Sequence, residues 1–311
     1  PAIISMFLGD QLHDIISAIK DGKWTLDQKK TLLQAGVDSI PVIKKDATDR
    51  NRTSPFAFTG NKFEFRSPGS SQSVAGINIV INTIVADALS QFADRLEKSD
   101  APEAEIKNII TDTIKENGRI IFDGNNYTDE WVKEAERRGL PNLKSAVDAF
   151  PAFIDERVVK MFKKHEVFTK AECRSRYEIL LEEYTKALHI EALTMLEMAN
   201  QEILPACIEY SNTVAKSLKM KKELGLSAPC ETKLYKNINE HTEGLMAAAE
   251  ALQKEVDEIP EDCEEIKLAE FYRDRIIPEM DSVRCYADEL ELIVGKEFWP
   301  FPTYTDLLYK I

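Results

Sequence analysis

A chain of 311 residues is long enough for one large or two modest domains with a substantial apolar core. Its 43% hydrophobic and 30% charged residues describe an ordinary globular protein and exclude a disordered one. With 40 Lys and Arg against 54 Asp and Glu, the formal net charge of -14 repels nucleic-acid backbones and anionic membranes and argues against both as partners.

No apolar run reaches the roughly 20 residues that a spanning helix requires, so a cytoplasmic location is the expectation. The chain opens Pro1-Ala2-Ile3-Ile4-Ser5, without methionine or a targeting segment, and reads as part of a longer chain. The five cysteines, Cys173, Cys207, Cys230, Cys263 and Cys285, form no CxxC pair and read as reduced thiols. His13, His165, His189 and His241 lie far apart, without the close pairing of a local metal or triad motif.

In chain order, apolar residues from Ile3 to Ile19 recur at spacings of three and four and predict an amphipathic helix ending at Gly22. Thr25 or Asp27 then caps a second predicted helix carrying Leu32 and Leu33, and Lys44 to Arg52 reads as a polar loop. Phe56 to Thr59 and Lys62 to Arg66 are β-prone pieces flanking the turn pair Gly60-Asn61, the one clear hairpin signal. Val74 to Glu97 has an apolar face broad enough for a buried packing helix.

From Pro102 the pattern is helix after helix: Glu103 to Glu116, Asp129 to Arg138, and Leu143 to Ile154 interrupted at Pro151. Three long patterns follow, Lys170 to Leu224, Cys230 to Asp257 and Asp262 to Val294, with Pro205 and Pro278 expected to kink the first and third. In the third, Ile266, Ala269, Tyr272, Ile276, Met280, Val283, Ala287, Leu290 and Val294 have bundle-seam spacing. The tail Phe298-Trp299-Pro300-Phe301-Pro302 cannot extend a helix and is expected to pack its aromatics on the body. The acidic stretch Asp257 to Glu265 reads as a solvated loop entering a helix N-terminus.

Chemistry concentrates in Lys62-Phe63-Glu64-Phe65-Arg66. Strand alternation sends Lys62, Glu64 and Arg66 to one face and the phenylalanines to the other. Such a face is either a solvated ion-pair ladder or a ligand-facing wall. In the second reading the carboxylate suits Mg²⁺ or Mn²⁺, and the arginine fork suits a carboxylate or phosphate. Asp49 to Ser54, just upstream, is a polar cluster that the hairpin could bring to the same end of a sheet.

The string NRTSPFAFTGNKFEFR, Asn51 to Arg66, followed by SPGSSQSVAG, resembles the C-terminal catalytic segment of glutamine synthetases, most closely the large type III enzymes. Further resemblance runs through PAIISMFLGDQL, SRYEILLEEYTKALHIEALTM and FWPFPTYTDLL, and so spans nearly the whole chain. The resemblance implies ATP-dependent ligation of ammonia to glutamate through a γ-glutamyl phosphate, with Mg²⁺ or Mn²⁺ as cofactor. It gives Arg52 the transferring phosphoryl group and Lys62 a nucleotide contact. Glu64 becomes a metal ligand, and Arg66 the residue that holds glutamate or the acyl phosphate. One departure is Ala57, where common forms of the family carry an arginine; Arg50 is the candidate substitute. The resemblance also implies a homo-oligomer of stacked rings with active sites between neighbours, and a flap glutamate and upstream metal ligands that this chain lacks. Alone, the chain is expected to be inactive.

The fold expected is α+β and predominantly α-helical. Residues 1–155 would be the C-terminal part of a glutamine synthetase catalytic domain, with its last strands and a helical insertion, and residues 156–311 a helical bundle and tail. Two rival readings are a ligase joining glutamate to another amine and a noncatalytic helical interaction module.

Overall fold

The computed structural model describes residues 3–24, 32–33, 43–44, 54–67, 69, 72–302 and 304–309. The opening is not one helix. Met6–Phe7 form a strand, β1, and helix α1 runs only over Asp10–Lys20. Gly9, at φ 78, separates the two, and the backbone N–H groups of Leu8 and Gly9 both donate to Asp123 Oδ1 at 2.8 Å. A short apolar run with three- and four-residue spacing fits either element; here edge pairing and a left-handed glycine decide for a strand. Leu32–Leu33 (β2), expected in a helix, instead pairs antiparallel with Ile43–Lys44 (β3).

The predicted hairpin forms as β4, Phe56–Phe58, and β5, Phe63–Phe65, in the register Phe56↔Phe65, Ala57↔Glu64 and Phe58↔Phe63. Gly60 takes the left-handed conformation at φ 92, as a tight hairpin turn demands, and the Thr59 N–H donates to the Lys62 carbonyl at 2.8 Å. Strand β1 pairs parallel with β4, giving the order β1-β4-β5, and Met6 also bridges to Ile121.

The helices follow in order: α2 Val74–Glu97, α3 Pro102–Asn117, α4 Asp129–Arg137, α5 Ala146–Ala149, α6 Glu156–Lys164, α7 Lys170–Met198, α8 Leu204–Glu223, α9 Pro229–Asp257, α10 Glu265–Phe271, α11 Ile277–Ile293 and α12 Tyr304–Tyr309. Side chains of Ser73, Thr128 and Ser145 cap α2, α4 and α5. The fold is thus predominantly helical α+β. It divides into two units, Pro1–Lys144 with Glu156–Thr169, and Ser145–Asp155 with Lys170–Ile311.

In the first unit Trp131 of α4 is 1% exposed and stacks on Phe122 at 4.1 Å, with Ala135, Leu140 and Ile3 buried around it. Its indole N–H donates to the Ile3 carbonyl at 3.4 Å, and Asn126 donates to the same carbonyl and to the Ser5 hydroxyl. Arg138 donates to the carbonyls of Arg119 and Ile121 and lies over the Trp131 ring. A segment more than 110 residues away thereby fixes the strand that begins the sheet.

Helix α2 departs from its expected burial. Thr83 is its one buried residue among those described, while Val74, Ile84, Val85 and Leu89 are each at least half exposed. Its most apolar window has a mean hydropathy of 1.3 and is 6% buried, so by length and composition it is able to cross a membrane, which corrects the sequence reading. A single such helix is weak evidence for a span, since helices that pack in protein cores share this composition. Its packing partners within the unit are α3 and α6.

The α6 contact is electrostatic: Asp87 accepts from Lys164 Nζ at 2.8 Å and lies 2.9 Å from His165 Nε2. Hydrogen bonds from Lys164 and His165 hold the Asp87 carboxyl down at about 2, from an ordinary 3.8. A depressed carboxylate stabilises the fold above its unfolded value and loses that contribution as pH falls through its folded value. Asp87→Asn should therefore cost on the order of 1 kcal/mol between pH 5 and 7, and the difference from the unsubstituted chain should shrink as pH falls below the unfolded value and disappear only below about pH 2. Denaturant unfolding at each pH checks this.

The second unit is a bundle of α7–α8, α9 and α10–α11. All nine predicted seam residues from Ile266 to Val294 are buried or packed against buried clusters, with Ala269, Ile276 and Leu290 fully enclosed. Phe298, Trp299 and Phe301 of the tail pack on the same core, as read from the sequence. The two prolines act in a particular way. Ala199–Ile203 and Tyr272–Ile276 are π-helical turns, each ending two residues before its proline, Pro205 or Pro278. Wider turns accommodate the missing N–H and the ring while the helical path continues.

Cys173 and Cys207 are buried in this unit, and burial pushes the Cys207 thiol up to about 11. Cys230, Cys263 and Cys285 are exposed. Titration of the folded chain with a thiol reagent at pH 8 should modify three cysteines rapidly and all five after denaturation.

Candidate functional site

Lys62, Glu64 and Arg66 come together as alternation requires. Lys62 Nζ lies 3.2 Å from Glu64 Oε1, and Arg66 Nη2 lies 3.2 Å from Glu64 Oε2. Thr59 adds a donor to Oε1 at 3.4 Å. The ion bridges from Lys62 and then Arg66 hold the Glu64 carboxyl below its ordinary range, so it is ionised at neutral pH. Lys62 is well exposed, whereas the Arg66 side chain is 21% exposed and its backbone N–H is pinned to the Pro55 carbonyl at 2.7 Å.

On the opposite face Phe56, Phe58 and Phe63 stack at centroid distances of 5.3–5.5 Å, with Phe65 6.2 Å from Phe56. This aromatic layer fixes which way the charged face points. Register puts Phe7, Ala57 and Glu64 in one row across the three strands, with Ala57 fully buried beside Glu64. The position where common family forms carry an arginine is thus a tightly enclosed neighbour of the carboxylate. Arg52 and Arg50 lie outside the described residues, as does the rest of the Asp49 cluster except Ser54, which is buried and bonded to the Phe56 backbone.

Arg66 borders a cleft of about 320 Å³. Its sheet side is formed by Ile3, Ile4, Pro55, Phe65, Arg66 and Ser67, at the start of β1 and β4 and the end of β5. Tyr127, Pro141, Asn142 and Leu143 complete the described lining. These four were not singled out from sequence. Gly139 at φ 68 and Pro141 announce a turn after α4, but nothing local says that the turn faces the hairpin.

The histidines have packing partners instead of a shared centre: His13 with Asp123, His165 with Asp87, His189 with Tyr272, and His241 with the Asn237 carbonyl. Among the described residues no group of three or more His, Cys, Asp or Glu is placed to hold a metal ion.

The geometry defines a predominantly helical α+β protein in which a charged hairpin strand borders a cleft and a helical bundle follows. Residues 105–222 match the family model of the glutamine synthetase C-terminal domain. The chain is 35% identical over its full length to a glutamine synthetase of Butyrivibrio fibrisolvens. It is 36% identical over 99% of its length to the type-3 glutamine synthetase of Dictyostelium discoideum. A glutamine synthetase of Bacteroides fragilis is 34% identical over 99% of the chain. The chain belongs to the glutamine synthetase family. It spans less than half the length of these relatives, 43–45% of each.

Proposed function

We propose that this chain serves, within a protein of its relatives' length, in an enzyme that joins ammonia to glutamate at the expense of ATP. The observation carrying this reading is the convergence of Lys62, Glu64 and Arg66 on one face, with Arg66, but neither Lys62 nor Glu64, among the described residues lining a cleft. Names of relatives matching along the whole chain support it. In the proposed reaction an oxygen of glutamate's side-chain carboxylate attacks the terminal phosphorus of ATP and ADP leaves. Ammonia then attacks the acyl carbon, the acyl–oxygen bond breaks to release phosphate, and the proton lost from nitrogen is taken up by that phosphate. Arg66 grips the carboxylate and then the acyl-phosphate oxygens, where a planar fork suits an oxyanion. Lys62 and Arg52 attend the nucleotide phosphates.

Glu64 suits one position of a Mg²⁺ or Mn²⁺ shell, being an ionised hard-oxygen donor; a bound ion would neutralise the phosphate oxygens. Among the described residues Glu64 belongs to no group of three or more His, Cys, Asp or Glu placed to hold an ion, so further ligands would come from other segments. Rings of subunits and a cytoplasmic setting belong to the same proposal. Purified full-length protein supplied with glutamate, ATP, Mg²⁺ and either ammonia or small organic amines tests it. Preference for ammonia is expected, and turnover confined to another amine would contradict it.

A further inference from the structure

Resting on that reading, we propose that Tyr127 and Asn142, which line the same cleft as Arg66, form an amino-acid-binding wall with it and set the enzyme's affinity for glutamate. Among the described residues lining the cleft, Arg66 is the one charged side chain; Glu64 bridges it at 3.2 Å, and a ligand carboxylate would share that guanidinium. Beyond Arg66, the described lining residues whose side chains carry polar groups are Ser67, Tyr127 and Asn142; the other described ones are aliphatic, aromatic or proline. That composition suits a small molecule with a carboxylate at one end, a short aliphatic stem and further polar groups. The carboxamide of Asn142 both donates and accepts, and the Tyr127 hydroxyl does likewise, so either can meet an ammonium or a carboxylate oxygen that Arg66 leaves unpaired.

The wall is held in place from behind. Between Tyr127 and Asn142 runs α4, and Trp131 on it bonds the Ile3 carbonyl, while Asn126 bonds both Ile3 and Ser5. Ile3 itself lines the cleft. Ile3 and Tyr127, 124 residues apart in sequence, are therefore tied together behind the cleft, which is what a preorganised site requires. Tyr127 and Asn142 are exposed, so truncating them leaves the core untouched.

Tyr127→Ala and Asn142→Ala, each in full-length protein, should raise the KM for glutamate about tenfold, the effect of losing a hydrogen bond to a charged group. The KM for ATP should stay as it is, and calorimetric titration with glutamate should show the same weakening in the absence of ATP. An unchanged glutamate KM and binding constant in both variants would overturn the inference while leaving the ligase reading intact. Glutamate binding that weakens in the variants of a protein making no glutamine would sustain the wall and refute the ligase reading.

Discussion

Replacing Arg66 by alanine in the full-length protein is expected to lower glutamine formation by about 10²–10³-fold, the usual effect of removing one preorganised oxyanion donor. The substitution should leave the hairpin standing. The bond from Arg66 to the Pro55 carbonyl is made by the backbone, the phenylalanine layer lies on the other face, and Glu64 keeps Lys62 as a partner. Loss of activity with unchanged unfolding behaviour therefore separates a ligand-facing wall from an ion-pair ladder. Arg66→Lys sharpens the test: it keeps the charge but not the two parallel donors, so it should likewise leave unfolding unchanged and recover little of the turnover. Steady-state assay of both variants alongside circular dichroism decides the matter, and near-normal turnover in Arg66→Ala would remove the residue from the site.

Trp131→Ala is expected to destabilise the first unit by about 3–5 kcal/mol, the range for emptying a large aromatic from a packed core. The side chain is almost wholly buried, stacks on Phe122 and anchors the Ile3 carbonyl. Its loss leaves a cavity among Ile3, Ala135 and Leu140 and removes a bond holding the first strand to α4. The defect lies behind both sides of the cleft, so glutamate binding should weaken along with stability. Trp131→Phe keeps part of the ring volume but not the N–H and should cost less than the alanine change. Denaturant unfolding measures both, and a cost under about 1 kcal/mol for the alanine variant would show that this contact does not hold the unit together.

Much of this was legible because helical periodicity is a strong signal over long segments. The seam from Ile266 to Val294, the bounds of α2 and the span of α9 follow from spacing alone. The hairpin was legible for a different reason: Gly60-Asn61 between alternating residues leaves one sensible register, and that register dictates that Glu64 and Arg66 share a face. Residues Ile3 to Phe7 misled because five residues cannot distinguish two periods, and the decisive facts are pairing with β4 and the distant carboxylate of Asp123. Leu32 and Leu33 pair with a strand ten residues on, a tertiary choice that overrides local spacing. Helix α2 was expected to be buried and is largely exposed, because a pattern says only that a face wants cover. Which segment supplies it is not written in the helix. The cleft lining is the clearest case, since Tyr127 and Asn142 sit in ordinary-looking loops and come to notice only through the cleft they share with Arg66.

The most direct test of the proposed chemistry is to follow phosphate and glutamine together in full-length protein given ATP, Mg²⁺, glutamate and ammonia. Equimolar release of the two, abolished when either glutamate or ammonia is withheld from the glutamine assay, is the predicted result. A folded, ATP-binding protein that yields no glutamine under these conditions would contradict the assignment of Glu64 and Arg66 to a ligase site.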